Sequence, residues 1–207
     1  MESLMIEGPV GQLEAAYHDV GSDDVLLICH PHPLYQGTMN NKVVTYTGKT
    51  YMDLGVNVMR FNYRGVGKSE GEYGEVSGEV QDGVAVARWL IEHKQPKRLF
   101  LAGFSFGAYI AAAIVQELQS GVTIPHLLLI APSVDNFPFD TVTPFTVPSS
   151  VIMGEQDEVV SFASVEEWVE GLYPPVQFIT LREATHFFHG QLVTLRDELK
   201  ELLDPIL

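Results

Sequence analysis

The 207-residue chain predicts a single α/β domain over residues 1–207, with a mostly parallel eight-stranded sheet, helices on both faces, an antiparallel hairpin at the start and no cap domain. Three observations predict it. From residue 25 onward, apolar runs of strand length alternate with amphipathic stretches of helix length, the pattern that builds parallel sheets through right-handed crossovers. Before them, Gly8-Pro9-Val10-Gly11 separates two short strand-like stretches, as in a hairpin. Hydrophobic residues make up 46% of the chain and charged residues 19%, a balance that fills one core at this length.

Residues 4 to 18 form the hairpin. Val25 to His30 is a nearly continuous apolar run, as expected of a strand covered on both faces. Asn40 to Leu54 has helical spacing (Val43, Val44, Tyr51, Leu54) and stops at Gly55, a C-cap signal. Asn57 to Asn62 reads as a strand. Glu79 to His93 reads as an amphipathic helix with Val80, Val84, Ala87, Leu90 and Ile91 on its apolar face. Leu99 to Ala102 is a strand ending at Gly103, and an alanine-rich helix is expected from Ala108. Strands at Pro125 to Ala131, Ser150 to Gly154 and Val176 to Leu181, with helices at Ser161 to Leu172 and Gln191 to Leu203, complete the alternation. No repeat, linker or low-complexity segment interrupts it, and the longest irregular stretch is Pro132 to Pro148.

Lys and Arg total 12 against 27 Asp and Glu, a formal net charge of −15. Nucleic acids and anionic bilayers are repelled by such a chain, so neither is an expected partner and an uncharged or cationic small molecule fits better. The single cysteine, Cys29, cannot form an internal disulfide. The amino terminus lacks the charged-then-apolar order of a signal peptide, and no apolar run approaches the roughly 20 residues that span a bilayer. Cytoplasm is the expected location. Cys29 lies in an apolar strand and reads as a small buried residue rather than a catalytic thiol.

The chemistry is concentrated at Gly103-Phe104-Ser105-Phe106-Gly107, a G-x-S-x-G nucleophile elbow between strand and helix. Where a strand reverses this sharply into a helix, a Cβ at either glycine would meet backbone. Ser105 is then held in strain with its Oγ above the sheet, and the Phe106 N–H points into the same space. The bland alternative is a serine that merely caps the helix.

Ligands of open α/β sheets bind at the carboxyl ends of strands, which confines the search for partners of the serine. Gly154-Glu155-Gln156-Asp157-Glu158 follows one strand, and Arg182-Glu183-Ala184-Thr185-His186-Phe187-Phe188-His189 follows the next. Ser105, Asp157 and His186 stand in the chain order nucleophile, acid, base. An imidazole takes the hydroxyl proton near neutral pH, and a carboxylate fixes its tautomer and stabilises the imidazolium. Glu155 and Glu158 are alternatives for the acid, though Asp157 has the shorter side chain beyond the strand end. His189 is the alternative base, and its place nearer the final helix suits a cap. A third loop, His30-Pro31-His32-Pro33-Leu34-Tyr35-Gln36-Gly37, is expected to add a backbone N–H to the Phe106 N–H in an oxyanion hole. Pro31 and Pro33 have none, which leaves His32, Leu34 and Tyr35. A metal site on His30 and His32 has no third ligand nearby in sequence. Gly65-Val66-Gly67-Lys68-Ser69 has the end of a P-loop without its first glycine, where Asn62 stands, and reads as an ordinary glycine-rich loop. No cofactor and no metal are expected.

Over essentially its whole length the chain resembles an α/β-hydrolase. HPHPLYQGTMNNKVV (30–44), RFNYRGVGKSEG (60–71), LAGFSFGAY (101–109), GEQDEVV (154–160) and ATHFFHG (184–190) are similar to a family of small bacterial predicted hydrolases related to dienelactone hydrolases. The resemblance implies the α/β-hydrolase fold and a serine triad. Dienelactone hydrolases proper use cysteine at the elbow, where this chain has Ser105. Larger α/β-hydrolases insert a helical cap after the strand that here ends at Ala131, and residues 132–149 are too few for one, so an open, shallow site is expected. Phe104, Phe106, Phe137 and Phe187 are candidates for its apolar wall, with a core position equally suited to at least two of them. The expected activity is carboxylic-ester hydrolysis of small soluble acyl substrates through an acyl-enzyme, with a preference for short or compact acyl groups. Thioesterases, peptidases and acyltransferases share the constellation. A non-catalytic binding protein on this scaffold would show a lost triad member, and none is lost.

Overall fold

The computed structural model describes residues 1–118 and 121–207. Strands β1 (Glu2–Gly8) and β2 (Gly11–His18) pair antiparallel with Gly8 opposite Gly11, so Pro9 and Val10 alone make the turn. The remaining strands are β3 (Asp24–Cys29), β4 (Asn57–Phe61), β5 (Arg98–Phe104), β6 (Leu127–Ile130), β7 (Ser149–Gly154) and β8 (Gln177–Leu181). Between and after them run α1 (Lys42–Asp53), α2 (Ser77–His93), α3 (Phe106–Glu117), α4 (Phe162–Glu170) and α5 (Leu192–Leu203). The sheet order is β1-β2-β4-β3-β5-β6-β7-β8. β2 joins β4 antiparallel, and every pairing from β4 to β8 is parallel.

β4 is buried along its whole length and β3 from its second residue, as strands sandwiched between helix layers require. α1 packs against α5 and α2 against α3, giving the two layers. α3 is buried at every position from Phe106 to Val115, and its all-round apolar sequence suits the centre of the molecule rather than its surface.

Two features position the site. From β3 the chain crosses to β4 on one side and then returns to β5 on the other, so the strand order reverses at β3, where Cys29 pairs with Gly103. Ligand crevices form at such a reversal, beyond the carboxyl ends of the strands. Second, α3 begins at Phe106, directly after Ser105 and two residues before the alanine pattern that marks it in sequence. Residues 131–148, after β6, hold only a short 3-10 turn at Phe139–Thr141, so no cap is built there. Among the described residues, no helix is long and apolar enough to cross a membrane.

Candidate active site

At the elbow, a Cβ on Gly103 would run into the Gly107 carbonyl, and one on Gly107 into the carbonyls of Cys29 and His30. Both glycines are therefore demanded by backbone approaching backbone. Ser105 has φ 56° and ψ −116°, a conformation unfavourable for any residue with a side chain. Its N–H is tied to the Ile130 carbonyl at 2.8 Å, and its side chain makes no capping bond to α3. A capping role is thus absent, and the hydroxyl is left at the edge of the crevice.

Asp157 and His186 are brought together from the ends of β7 and β8. His186 Nδ1 lies 2.7 Å from Asp157 Oδ2, and both side chains are almost entirely out of solvent. The other carboxylate oxygen accepts the N–H groups of Val159 and Val160 at 2.8 and 2.7 Å, so the carboxylate is locked in one orientation. The imidazole packs on Phe104, the residue before Ser105, with ring centroids 5.0 Å apart. The two alternatives for the acid point elsewhere. Glu155 accepts the Thr180 hydroxyl, and Glu158 Oε2 accepts the His186 backbone N–H at 3.2 Å. Glu158 thus holds the main chain of His186, a contact that residue spacing did not disclose. His189 is exposed.

The loop after β3 is rigid for reasons that lie in its own side chains. His30 is fully buried, accepts the Tyr63 N–H on Nε2 at 3.3 Å and donates Nδ1–H to the Pro31 carbonyl at 2.7 Å. Burial pushes its pKa down to about 3, so it stays neutral, and with both ring nitrogens engaged it has no lone pair left for a metal. His32 Nδ1 accepts the Leu34 N–H at 3.2 Å, and its Nε2 meets the Tyr73 hydroxyl at 3.3 Å. The His32 carbonyl accepts from Tyr35 and Gly37. Of the three candidate oxyanion donors, the N–H groups of Leu34 and Tyr35 are therefore engaged within the loop, which leaves that of His32.

A cavity of about 400 Å³ opens beside Ser105, with His32, Tyr35, Phe106 and Phe137 among its walls and Ser133, Asn136 and Val159 completing it. Of the four phenylalanines singled out in sequence, Phe137 and Phe106 line this cavity, the side chain of Phe106 being itself fully buried. Phe104 is fully buried behind His186, and Phe187 stands partly exposed against the imidazole, 5.0 Å between centroids. Ser133, Asn136 and Val159 were not anticipated. Each follows a strand end, the same signal that pointed to Asp157.

The glycine-rich loop at Gly65–Ser69 is filled by the protein itself. The Lys68 N–H donates to Glu14 Oε2 at 2.8 Å, and Ser69 Oγ donates to the Asn62 carbonyl at 2.7 Å. The groups that would cradle a phosphate thus hold β2 to the end of β4. Cys29, completely buried, has its pKa raised to about 12 by desolvation and is not a nucleophile.

A doubly wound sheet with a strained serine at its strand-order reversal is the architecture of a hydrolase. The chain belongs to the alpha/beta hydrolase fold family, whose model matches residues 74–189. It is 35% identical over 199 residues, covering 91% of this chain and 82% of the relative, to an uncharacterized protein of Rickettsia prowazekii. An alpha-beta serine hydrolase homologue from Coxiella burnetii superposes with a TM-score of 0.91 at 44% identity, covering 98% of this chain and 97% of that one. A serine hydrolase without a lid from Xanthomonas campestris superposes with a TM-score of 0.91 at 34% identity, covering 99% and 94%.

Proposed function

We propose that the protein is a serine hydrolase, a carboxylesterase acting on small soluble acyl esters through an acyl-enzyme. The observation that carries this reading is the 2.7 Å contact of His186 Nδ1 with the buried carboxylate of Asp157, on an imidazole that packs against Phe104, the residue before a serine whose strained backbone and uncapped hydroxyl serve no structural purpose. Ser105 Oγ attacks the ester carbonyl carbon while His186 Nε2 takes its proton, and Asp157 stabilises the imidazolium. The negative charge on the carbonyl oxygen is met by the N–H groups of Phe106 and His32. Collapse breaks the bond to the alcohol oxygen, which leaves with the proton from Nε2. Water then repeats the sequence on the acyl-serine and releases the acid.

Treatment with a fluorophosphonate should place a covalent adduct on Ser105, read by mass spectrometry of peptides. Asp157→Asn should lower kcat by about 10⁴ with little change in KM, as charge removal does in a serine triad. His186→Ala should be at least as damaging, and the double variant little slower than the worse single one, because the two residues act as a unit. His189→Ala and Glu155→Gln should retain most activity. An adduct on another serine rejects the nucleophile. A dispensable Asp157 with an essential Glu155 or Glu158 would move the acid within its loop.

A further inference from the structure

The cavity beside Ser105 can be assigned to one half of the substrate. His186 must hand a proton to the departing alcohol, so the alcohol lies over the imidazole and its neighbour Phe187. Neither residue lines the cavity. The cavity therefore receives the acyl group, given the serine-hydrolase reading on which this step rests.

Its walls are rich in aromatic rings. His32 contacts Tyr35, Phe106 and Phe137 with ring centroids 5.0, 4.8 and 6.1 Å apart, and Phe106 meets Phe137 at 5.0 Å. His32, Tyr35 and Phe137 thus form one contiguous aromatic surface next to the nucleophile, backed by the fully buried ring of Phe106. Tyr35 is 83% exposed, yet its turn is fixed by the bonds of Tyr35 N–H and Gly37 N–H to the His32 carbonyl and follows Pro33. With the backbone of the turn fixed and the ring resting edge-on against His32, Tyr35 is placed beside the nucleophile, and a tyrosine has only two side-chain torsions to order on binding. Faces and edges of rings favour another π-system, and a flat acyl group, unlike a flexible chain, gives up almost no rotamer entropy on entry. None of the lining residues carries a formal charge, so the cavity offers no partner to a charged acyl group, and the strongly acidic molecule repels an anionic one. We propose that this cavity is an acyl site for a neutral, planar aromatic carboxylic acid presented as its ester, and that Tyr35 is a specificity-determining residue.

The comparison that tests it is p-nitrophenyl benzoate against p-nitrophenyl cyclohexanecarboxylate, two acyl rings of similar size of which only one is flat. Each kcat/KM is divided by the rate constant for hydroxide hydrolysis of the same ester, which removes the difference in intrinsic reactivity. The normalised ratio should favour benzoyl by about fivefold to tenfold, the size of a favourable aromatic contact. It should fall toward one in Tyr35→Ala, where an exposed side chain is removed, and be kept in Tyr35→Phe. A ratio at or below one in the wild type, or a preference untouched by Tyr35→Ala, overturns the assignment while leaving Ser105 as nucleophile if the fluorophosphonate adduct forms. If no adduct forms and neither ester is hydrolysed, the serine-hydrolase reading has failed instead. The cavity is then judged by calorimetry with benzamide and cyclohexanecarboxamide: tighter binding of benzamide sustains an aromatic site, and equal or reversed binding ends it.

Discussion

His30 and His126 are both buried and both kept neutral by desolvation, with pKa values pushed down to about 3 and about 4. His126 Nε2 meets the Ser150 hydroxyl at 2.9 Å while its Nδ1 has no partner, so protonation would place an uncompensated charge between β6 and β7. In the unfolded chain each imidazole titrates near 6.5. The sign follows. Above about pH 6.5 both states hold neutral imidazoles and neither residue affects stability. As pH falls below that value, the unfolded chain takes up protons that the folded one refuses, and stability is lost until about pH 4 for His126 and about pH 3 for His30. The slope approaches about 1.4 kcal/mol per pH unit for each histidine. Urea unfolding between pH 6.5 and 5 should therefore show a falling midpoint, with a shallower fall in His126→Asn. Parallel slopes in the two proteins would mean that His126 does not resist protonation.

The loop from β4 to α2 shows how one element borrows its rigidity from another. Arg64 reaches Asp82 on α2 with Nη2 at 2.7 Å and Nε at 3.0 Å, and the Arg64 backbone N–H donates to the same carboxylate at 2.8 Å. Both residues are buried. A Cβ on Gly78 would strike the guanidinium, so α2 can enter this close only as glycine. Glu79, also buried, accepts the N–H groups of Gly74 and Val76 and so holds Glu75 and Val76 at positive φ (52° and 74°). The loop held in this way carries Tyr73, whose hydroxyl meets the His32 ring at 3.3 Å. Asp82→Ala would leave a guanidinium and an N–H buried without a partner and should cost about 3–5 kcal/mol in chemical denaturation. The double variant Arg64→Met with Asp82→Leu should lose less than that single change, since it removes both charges together. Equal losses would mean that the pair is worth more than its desolvation.

For the molecule as a whole, the decisive fact is what is missing above the sheet. Only loop covers the crevice between β6 and β7, and the cavity beside Ser105 holds about 400 Å³, room for a compact group but not for a tunnel. Each buried methylene adds roughly 0.8 kcal/mol of binding, so an extended acyl channel would reveal itself in kcat/KM rising steadily with chain length. Across straight-chain p-nitrophenyl esters the rise should stop before about eight carbons. A continued climb past that length would require apolar surface that residues 131–148 do not provide in this arrangement.

Periodicity and backbone sterics are local properties, and what depends on them could be read from the chain alone: eight strands, the hairpin turn at Pro9-Val10, the glycines flanking Ser105, the order of Ser105, Asp157 and His186, and the shortness of the segment after β6. Strand order is different, because it depends on which buried faces match. That β2 pairs with β4 rather than β3, placing the reversal beside Cys29, emerges only when the sheet is assembled. The same holds for groups that neutralise one another at a distance in sequence, such as Glu14 filling the Lys68 loop, Asp82 holding Arg64 and Glu158 gripping the His186 backbone. Hydrogen bonding has no period, and so leaves no mark in the order of residues. Nor does the sequence disclose that the Leu34 N–H is taken up by the His32 ring, which rests among Tyr73, Phe106 and Phe137.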